Sequence, residues 1–266
     1  MGSEASVTSV LRALTLLREL NRQRVSSVQD LYCSTGLPKS TLVRLLKTLC
    51  DAGYVSNNRA RGGYQVTSLV KSLSCGFHRD PLIVEAGRPW AIDFTRRYRW
   101  PVAIAVLDVD AVRICFTTNP DSPVSPFHGT INSRMCLLTR ALGRAHLAFC
   151  PEEERDLILN ILRSSKNPED QGVHDIKATV AMLNSIKRAG FALRDATVEP
   201  TSSGTIAVPV MYGNKVLATV AMSYFKSAIS PQEIVSRYVP LLRELGRNIE
   251  HSAVILKNEL TDISLT

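Results

Sequence analysis

A chain of 266 residues, 45% hydrophobic and 21% charged, has enough apolar material for two folded domains and is not disordered in its main state. Its longest apolar stretches, such as residues 102–107, fall far short of the ~18–20 residues of a membrane helix. With no basic-then-apolar leader, this predicts a cytoplasmic protein without a membrane partner. The net charge of +8 is uneven: residues 1–80 carry 11 Lys/Arg against 5 Asp/Glu, so a short N-terminal part holds most of the excess, as a phosphate-neutralising surface requires.

From Val10 onward, Ala13, Leu14, Leu17 and Leu20 recur at three- and four-residue steps and predict a first helix with one buried face. Ser26-Ser27-Val28-Gln29 has the form of a capping box, with a hydroxyl three residues before an amide, and opens a short second helix that Gly36 closes. A third helix begins near Pro38 and runs to about Ala52, with Leu42, Leu45, Leu46 and Leu49 inside. Its other face shows Lys39, Ser40, Thr41, Arg44, Lys47 and Thr48, short hydrogen-bonding groups backed by long cations, which is what a major-groove reader needs. Two short strands around Tyr54-Val55 and Tyr64-Val66 then flank a basic hairpin tip carrying Arg59 and Arg61.

Each piece alone is also what an ordinary amphipathic helix or a solvated hairpin looks like. In this order they predict a winged helix-turn-helix over residues 7–66 that binds double-stranded operator DNA. Arg44 with Ser40 or Thr41 would reach base edges, Lys39 and Lys47 would hold phosphates, and Arg59 and Arg61 would meet the adjoining minor groove.

Residues 67–80 repeat apolar positions at Leu69, Val70 and Leu73 before Asp80-Pro81 and predict a linker helix. The remainder, 81–258, predicts an α+β domain in which helices cover an antiparallel sheet. Ile83, Gly87, Trp90, Ala91 and Phe94 mark one helix face; 102–107 and 112–116 pair as a hairpin; Leu157, Ile158, Ile161 and Leu162 mark a second helix, and Ile176, Val180, Leu183 and Ile186 a third. Strands at 205–211 and 216–224 follow, and Ser230-Pro231-Gln232-Glu233 caps a last helix with the stripe Ile234, Tyr238, Leu241, Leu242, Leu245 and Ile249. Residues 118–134 form a long loop that reads equally as a lid over a cavity or as a surface excursion.

Six cysteines (Cys33, Cys50, Cys75, Cys115, Cys136, Cys150) are scattered with no Cys-x-x-Cys pair and no histidine at metal-ligand spacing, so neither a metal site nor a disulfide framework is expected. Ser202-Ser203-Gly204 is the only stretch that suggests a nucleophile, and no base is placed beside it. His146 reads as a packed core histidine, and His128 and His174 fall in loops. No catalytic residue and no cofactor is therefore expected. Two rival readings are an enzyme with a DNA-binding appendage and a ligand-independent architectural DNA binder. The large, nearly charge-balanced second domain argues against the latter.

Gly36-Leu37-Pro38-Lys39-Ser40-Thr41-Leu42-Val43-Arg44-Leu45-Leu46, together with residues 141–149, Lys187-Arg188-Ala189-Gly190-Phe191 and Ile206-Ala207-Val208-Pro209-Val210, resembles the IclR family of bacterial regulators in four ordered segments. The resemblance implies a GAF-like effector domain, a homodimer or tetramer, control of a catabolic operon by a small organic effector, and RNA polymerase as a further partner. Shorter segments, Trp100-Pro101, residues 107–111, Ser125-Pro126-Phe127-His128 and residues 147–152, are similar to the subgroup controlling 3-(3-hydroxyphenyl)propionate catabolism, which implies an aromatic acid. Carried over from the family's pocket are Met135, Ala141, Thr205 and Ser223. Arg140 stands where the family has a small hydroxyl residue; it either pairs with an effector carboxylate or caps a surface helix.

Overall fold

The computed structural model describes residues 6–58, 62–76, 81–126 and 130–263. They fall into two compact units that divide after residue 79.

The first unit holds α1 (Thr8–Leu20), α2 (Val28–Thr35), α3 (Lys39–Asp51) and the antiparallel strands β1 (Val55–Asn58) and β2 (Gly63–Val66). Leu16, Leu17, Leu20, Leu31, Leu42, Leu46 and Val55 form its core. The α1 stripe is therefore rotated from the expected one: Leu14 is 52% exposed, and Val10 and Leu11 beside it are equally open.

The cap of α2 also shifts by one residue. The Ser27 hydroxyl accepts from the Asp30 N–H, and the Asp30 carboxylate accepts the Ser27 N–H at 2.8 Å. Ser26 cannot serve as the cap because its backbone exchanges two hydrogen bonds with Tyr64 of β2, closing the strand pair onto the helices. Gly36 ends α2 at φ +67°, a left-handed conformation that suits a residue without Cβ.

Where a linker helix was expected over 67–80, the described part is a 3₁₀ helix, Ser68–Ser74, capped by Thr67. Leu69 and Leu73 lie 43% and 59% exposed while Val70 packs on the core. The apolar pattern alone could not distinguish the two helix types, which differ by only about half a residue per turn.

The second unit is a six-stranded antiparallel sheet in the order β5-β4-β3-β8-β7-β6. Its strands are β3 (Val102–Asp108), β4 (Ala111–Thr117), β5 (Arg134–Cys136), β6 (Ala192–Leu193), β7 (Ser203–Tyr212) and β8 (Lys215–Phe225). Alternation along β7 and β8 separates two cores, as the period-two pleat requires. Ile206, Val208, Val220 and Met222 meet α4 (Leu82–Tyr98) and α9 (Val239–Ile263), whereas Ala207 and Ala221 meet α5 (Ala141–Phe149), α6 (Glu152–Leu162) and α7 (Ile176–Ala189).

In α7, Val180 is 38% exposed and Thr179 is buried instead, and three further helices differ from expectation. In α6 the buried residues are Ile158, Leu159 and Leu162, with Leu157 66% exposed and Ile161 45%. Trp90, placed on the inner face of α4, is 37% exposed and donates its indole N–H to Ser252 at 2.8 Å. The last helix is not continuous: α8 (Pro231–Glu233) runs into a π-helical turn, Ile234–Tyr238, before α9. Pro240 explains the wider turn, since it lacks an N–H and its ring crowds the carbonyl four residues earlier.

The stem of the 118–134 loop is fastened to the end of α4. Thr118 Oγ1 lies 2.6 Å from Thr95 Oγ1, and Ser122 donates to the Arg99 carbonyl at 2.6 Å.

Candidate DNA-reading face and effector site

Burying Leu42 and Leu46 turns the other side of α3 outward. Lys39, Ser40, Arg44 and Lys47 are all exposed there. Lys39 also lies over the Tyr32 ring at 5.7 Å, which steadies the start of the helix against α2. Thr41 departs from the expected face: it is half-buried in a groove of about 450 Å³ that α3 makes with Ser9, Val10, Arg12 and Ala13 of α1. Val43, which the sequence reading assigned to neither face, is 51% exposed among the polar groups. Its place beside Lys39, Ser40 and Lys47 on the helical wheel was the available signal. Arg59 and Arg61 lie outside the described residues.

Of the five expected effector residues, the structure places only Arg140 at a cleft. This cleft, of about 730 Å³, is bordered by Thr139, Arg140 and Arg144 at the start of α5, by Glu169 and Gly172, by Thr179 and Met182 of α7, and by residues 195 and 197–199. Ala141 is buried as the first residue of α5, and Met135 packs at the margin of the α5-side core. Thr205 and Ser223 face each other across β7 and β8 with their hydroxyl oxygens 3.3 Å apart, on the α5 side of the sheet. Two backbone bonds join this pair to the cleft. Arg194 N–H donates to the Thr205 carbonyl at 3.0 Å, and Asp195 N–H to the Thr139 carbonyl at 2.8 Å.

Arg140 occupies the cap position of α5 but makes no side-chain cap bond. Instead its Nε donates to Glu169 Oε2 at 2.9 Å and its terminal nitrogen to Oε1 at 2.6 Å, so neither reading made from the sequence describes this pairing. The bond from Arg140 holds the Glu169 carboxyl below its ordinary range, with Thr139 helping. Arg144, beside it, pairs with Asp195 and donates to the Leu138 carbonyl at 2.6 Å. Asp195 too is held low, first by the Thr197 N–H. Sequence reasoning missed Glu169, Arg144 and Asp195. Their partners stand 29 and 51 residues apart, beyond the reach of any local pattern. None of the described residues of the 118–134 loop borders the cleft.

The Ser203 hydroxyl is fully buried, accepting from Arg194 at 3.0 Å and donating to the Pro200 carbonyl at 3.2 Å, neither of which is a base for nucleophilic attack. His146 is buried as expected. The structure corrects the statement that no histidine is spaced to share a metal with a cysteine, because one helical turn sets His146 beside Cys150, with Glu154 bonded to the imidazole at 2.8 Å. Among the described residues no helix is long and apolar enough to cross a membrane.

Residues 9–59 match the family model of the IclR helix-turn-helix domain. Over 247 residues the chain is 24% identical to the HTH-type transcriptional regulator KdgR of Escherichia coli, covering 92% of each protein. The solved IclR structure from Thermotoga maritima, 19% identical, superposes with a TM-score of 0.60 over 93% of this chain and 99% of that one. An IclR homologue from Microbacterium hydrocarbonoxydans, solved in complex with 4-hydroxybenzoate, is 19% identical with a TM-score of 0.54 over 92% and 99%. At these identities the two structures show the fold. An α3 of this form in a winged unit, joined to a helix-covered antiparallel sheet, defines a DNA-binding transcriptional regulator. The helix-turn-helix, residues 9–59, is thus of the IclR kind, and the chain as a whole is similar to the KdgR regulator over 92% of its length.

Proposed function

We propose that the protein controls a catabolic operon by binding its operator through α3 and a small organic acid through the second unit. The acid is an aromatic one, of the hydroxyphenylpropionate or hydroxybenzoate class. Arg44 and Ser40 read base edges in the major groove, Val43 meets a thymine methyl, and Lys39 and Lys47 hold phosphates. Arg59 and Arg61 extend that contact. The working form is a homodimer or tetramer, for which the exposed stripe Val10, Leu11 and Leu14 supplies apolar surface.

The observation that carries the effector reading is the guanidinium fork of Arg140 lining an open cleft, with the Thr205–Ser223 hydroxyl pair outside that lining but on the α5 side of the sheet. A fork of this kind binds a carboxylate with two parallel bonds, and the hydroxyl pair suits a phenol or a second polar group. Because Glu169 already occupies the fork, an acid effector has to take its place. The 4-hydroxybenzoate complex of the Microbacterium homologue supports the ligand class.

The test is calorimetric titration of the purified protein with 3-(3-hydroxyphenyl)propionate and 4-hydroxybenzoate, each beside its neutral amide. Exchange at Arg140 predicts binding of the acid over the amide, tighter binding in Glu169→Gln and loss of binding in Arg140→Ala. Equal affinity for acid and amide, or an Arg140→Ala protein that binds as well as wild type, contradicts it.

A further inference from the structure

Away from the DNA-reading face and the cleft, the α5–α6 corner brings three metal-ligating side chains together. Cys150 caps the end of α5, its N–H bonded to the His146 carbonyl at 2.9 Å, so the thiol and the imidazole lie on one helical face. The chain turns at Pro151 and presents Glu154 from the first turn of α6. The donor atoms of His146, Cys150 and Glu154 all lie within 4.8 Å of one another. His146 and Cys150 are each 2% exposed, whereas the Glu154 side chain is 34% exposed and opens the group to solvent.

A buried histidine satisfied by a carboxylate has no need of a thiol as a third neighbour. The Cys150 Sγ contact, to the Leu147 carbonyl at 3.5 Å, engages the thiol hydrogen weakly and leaves the sulfur lone pairs for another partner. One sulfur, one imidazole nitrogen and one carboxylate oxygen form the mixed donor set that borderline divalent ions take up, with three protein ligands and a fourth position open. Metal–ligand bonds of about 2.0–2.3 Å place tetrahedral donors roughly 3.3–3.7 Å apart. The His146–Glu154 pair, now 2.8 Å apart, therefore has to open by about half an ångström while the Cys150 sulfur draws closer to both.

We propose that His146, Cys150 and Glu154 form a three-ligand site for a zinc-class divalent cation, with water in the fourth position on the Glu154 side. Binding makes metal–N, metal–S and metal–O bonds, breaks the Cys150 S–H bond with release of that proton to solvent, and moves the imidazole proton now shared with Glu154 to the other ring nitrogen, with no change of oxidation state. The ion clips the end of α5 to the start of α6.

The experiment uses the full chain, stripped with a chelator and kept reduced, titrated with Co²⁺ and then with Zn²⁺. The expected result is saturation at one Co²⁺ per chain with a thiolate-to-cobalt charge-transfer band, which Zn²⁺ bleaches. Cys150→Ser abolishes the band, and Cys136→Ser, a buried thiol of β5 outside the group, retains it. Glu154→Gln, at a half-exposed position that leaves the fold intact, weakens Co²⁺ binding roughly tenfold or more and removes the rise in Tm that Zn²⁺ gives the wild type. Absence of a charge-transfer band at millimolar Co²⁺ overturns the proposal. So does a band that survives Cys150→Ser, or an affinity unchanged in Glu154→Gln.

Discussion

The Arg140 guanidinium closes on both carboxylate oxygens of Glu169 and so ties the start of α5 to the 3₁₀ helix Pro168–His174. The pair is 28% and 35% exposed, so solvent screening keeps its worth to about 1 kcal/mol or less. Since the folded protein holds Glu169 below its unfolded value of about 4.3, this contribution is complete above that pH and is lost as the pH falls through the folded value. Thermal midpoints measured from pH 7 down to pH 3 are expected to drop more steeply in wild type than in Glu169→Gln below pH ~4.5. Parallel curves would show that the pair contributes nothing to stability.

Gly143 sits where α5 crosses the β5–α5 turn. A Cβ there would lie 2.4 Å from both the Cys136 carbonyl oxygen and Leu137 Cα, and backbone atoms cannot rotate away. Gly143→Ala is expected to cost about 2–4 kcal/mol in urea unfolding, well above an ordinary glycine-to-alanine change in a helix, which usually stabilises. A loss under ~1 kcal/mol would mean that α5 can move off the sheet at little cost.

At the entrance to α2, Ser27→Ala removes one half of the reciprocal cap with Asp30 and is expected to cost about 1 kcal/mol. Ser26→Ala should cost less, because Ser26 pairs with Tyr64 through its backbone. Urea midpoints of the two variants check the order, and a reversal would restore Ser26 as the cap.

Much of the fold is legible in the chain because its pattern is local. The leucines of α3 are spaced for one buried face and leave Lys39, Ser40, Arg44 and Lys47 opposite it, and the alternation in 102–107, 205–211 and 216–224 gives three strands of the sheet. What the sequence hid depends on competition or on distance. Ser26 and Ser27 are equivalent as caps until Tyr64 claims the backbone of the first. In α6 the apolar run offers two overlapping stripes, and only the neighbours choose Ile158 and Leu162 over Leu157 and Ile161. The cleft is assembled by ion pairs between distant segments, Arg140 with Glu169 and Arg144 with Asp195, for which no spacing rule exists. Arg44 and Lys47 are legible for the opposite reason, since an exposed cation on a helix face is placed by the helix period alone.

The most direct test of the central claim is the binding of wild type and Arg44→Ala to the DNA upstream of the protein's own gene and to a scrambled duplex, at one fixed salt concentration. The expected result is a wild-type preference of about 10³-fold or more for the upstream DNA, of which Arg44→Ala loses roughly 1–3 kcal/mol. Lys47→Ala, by comparison, weakens both duplexes alike and lowers the salt slope by about 1. A wild-type protein that binds both duplexes equally, or an Arg44→Ala protein that keeps the full preference, would contradict sequence reading by α3.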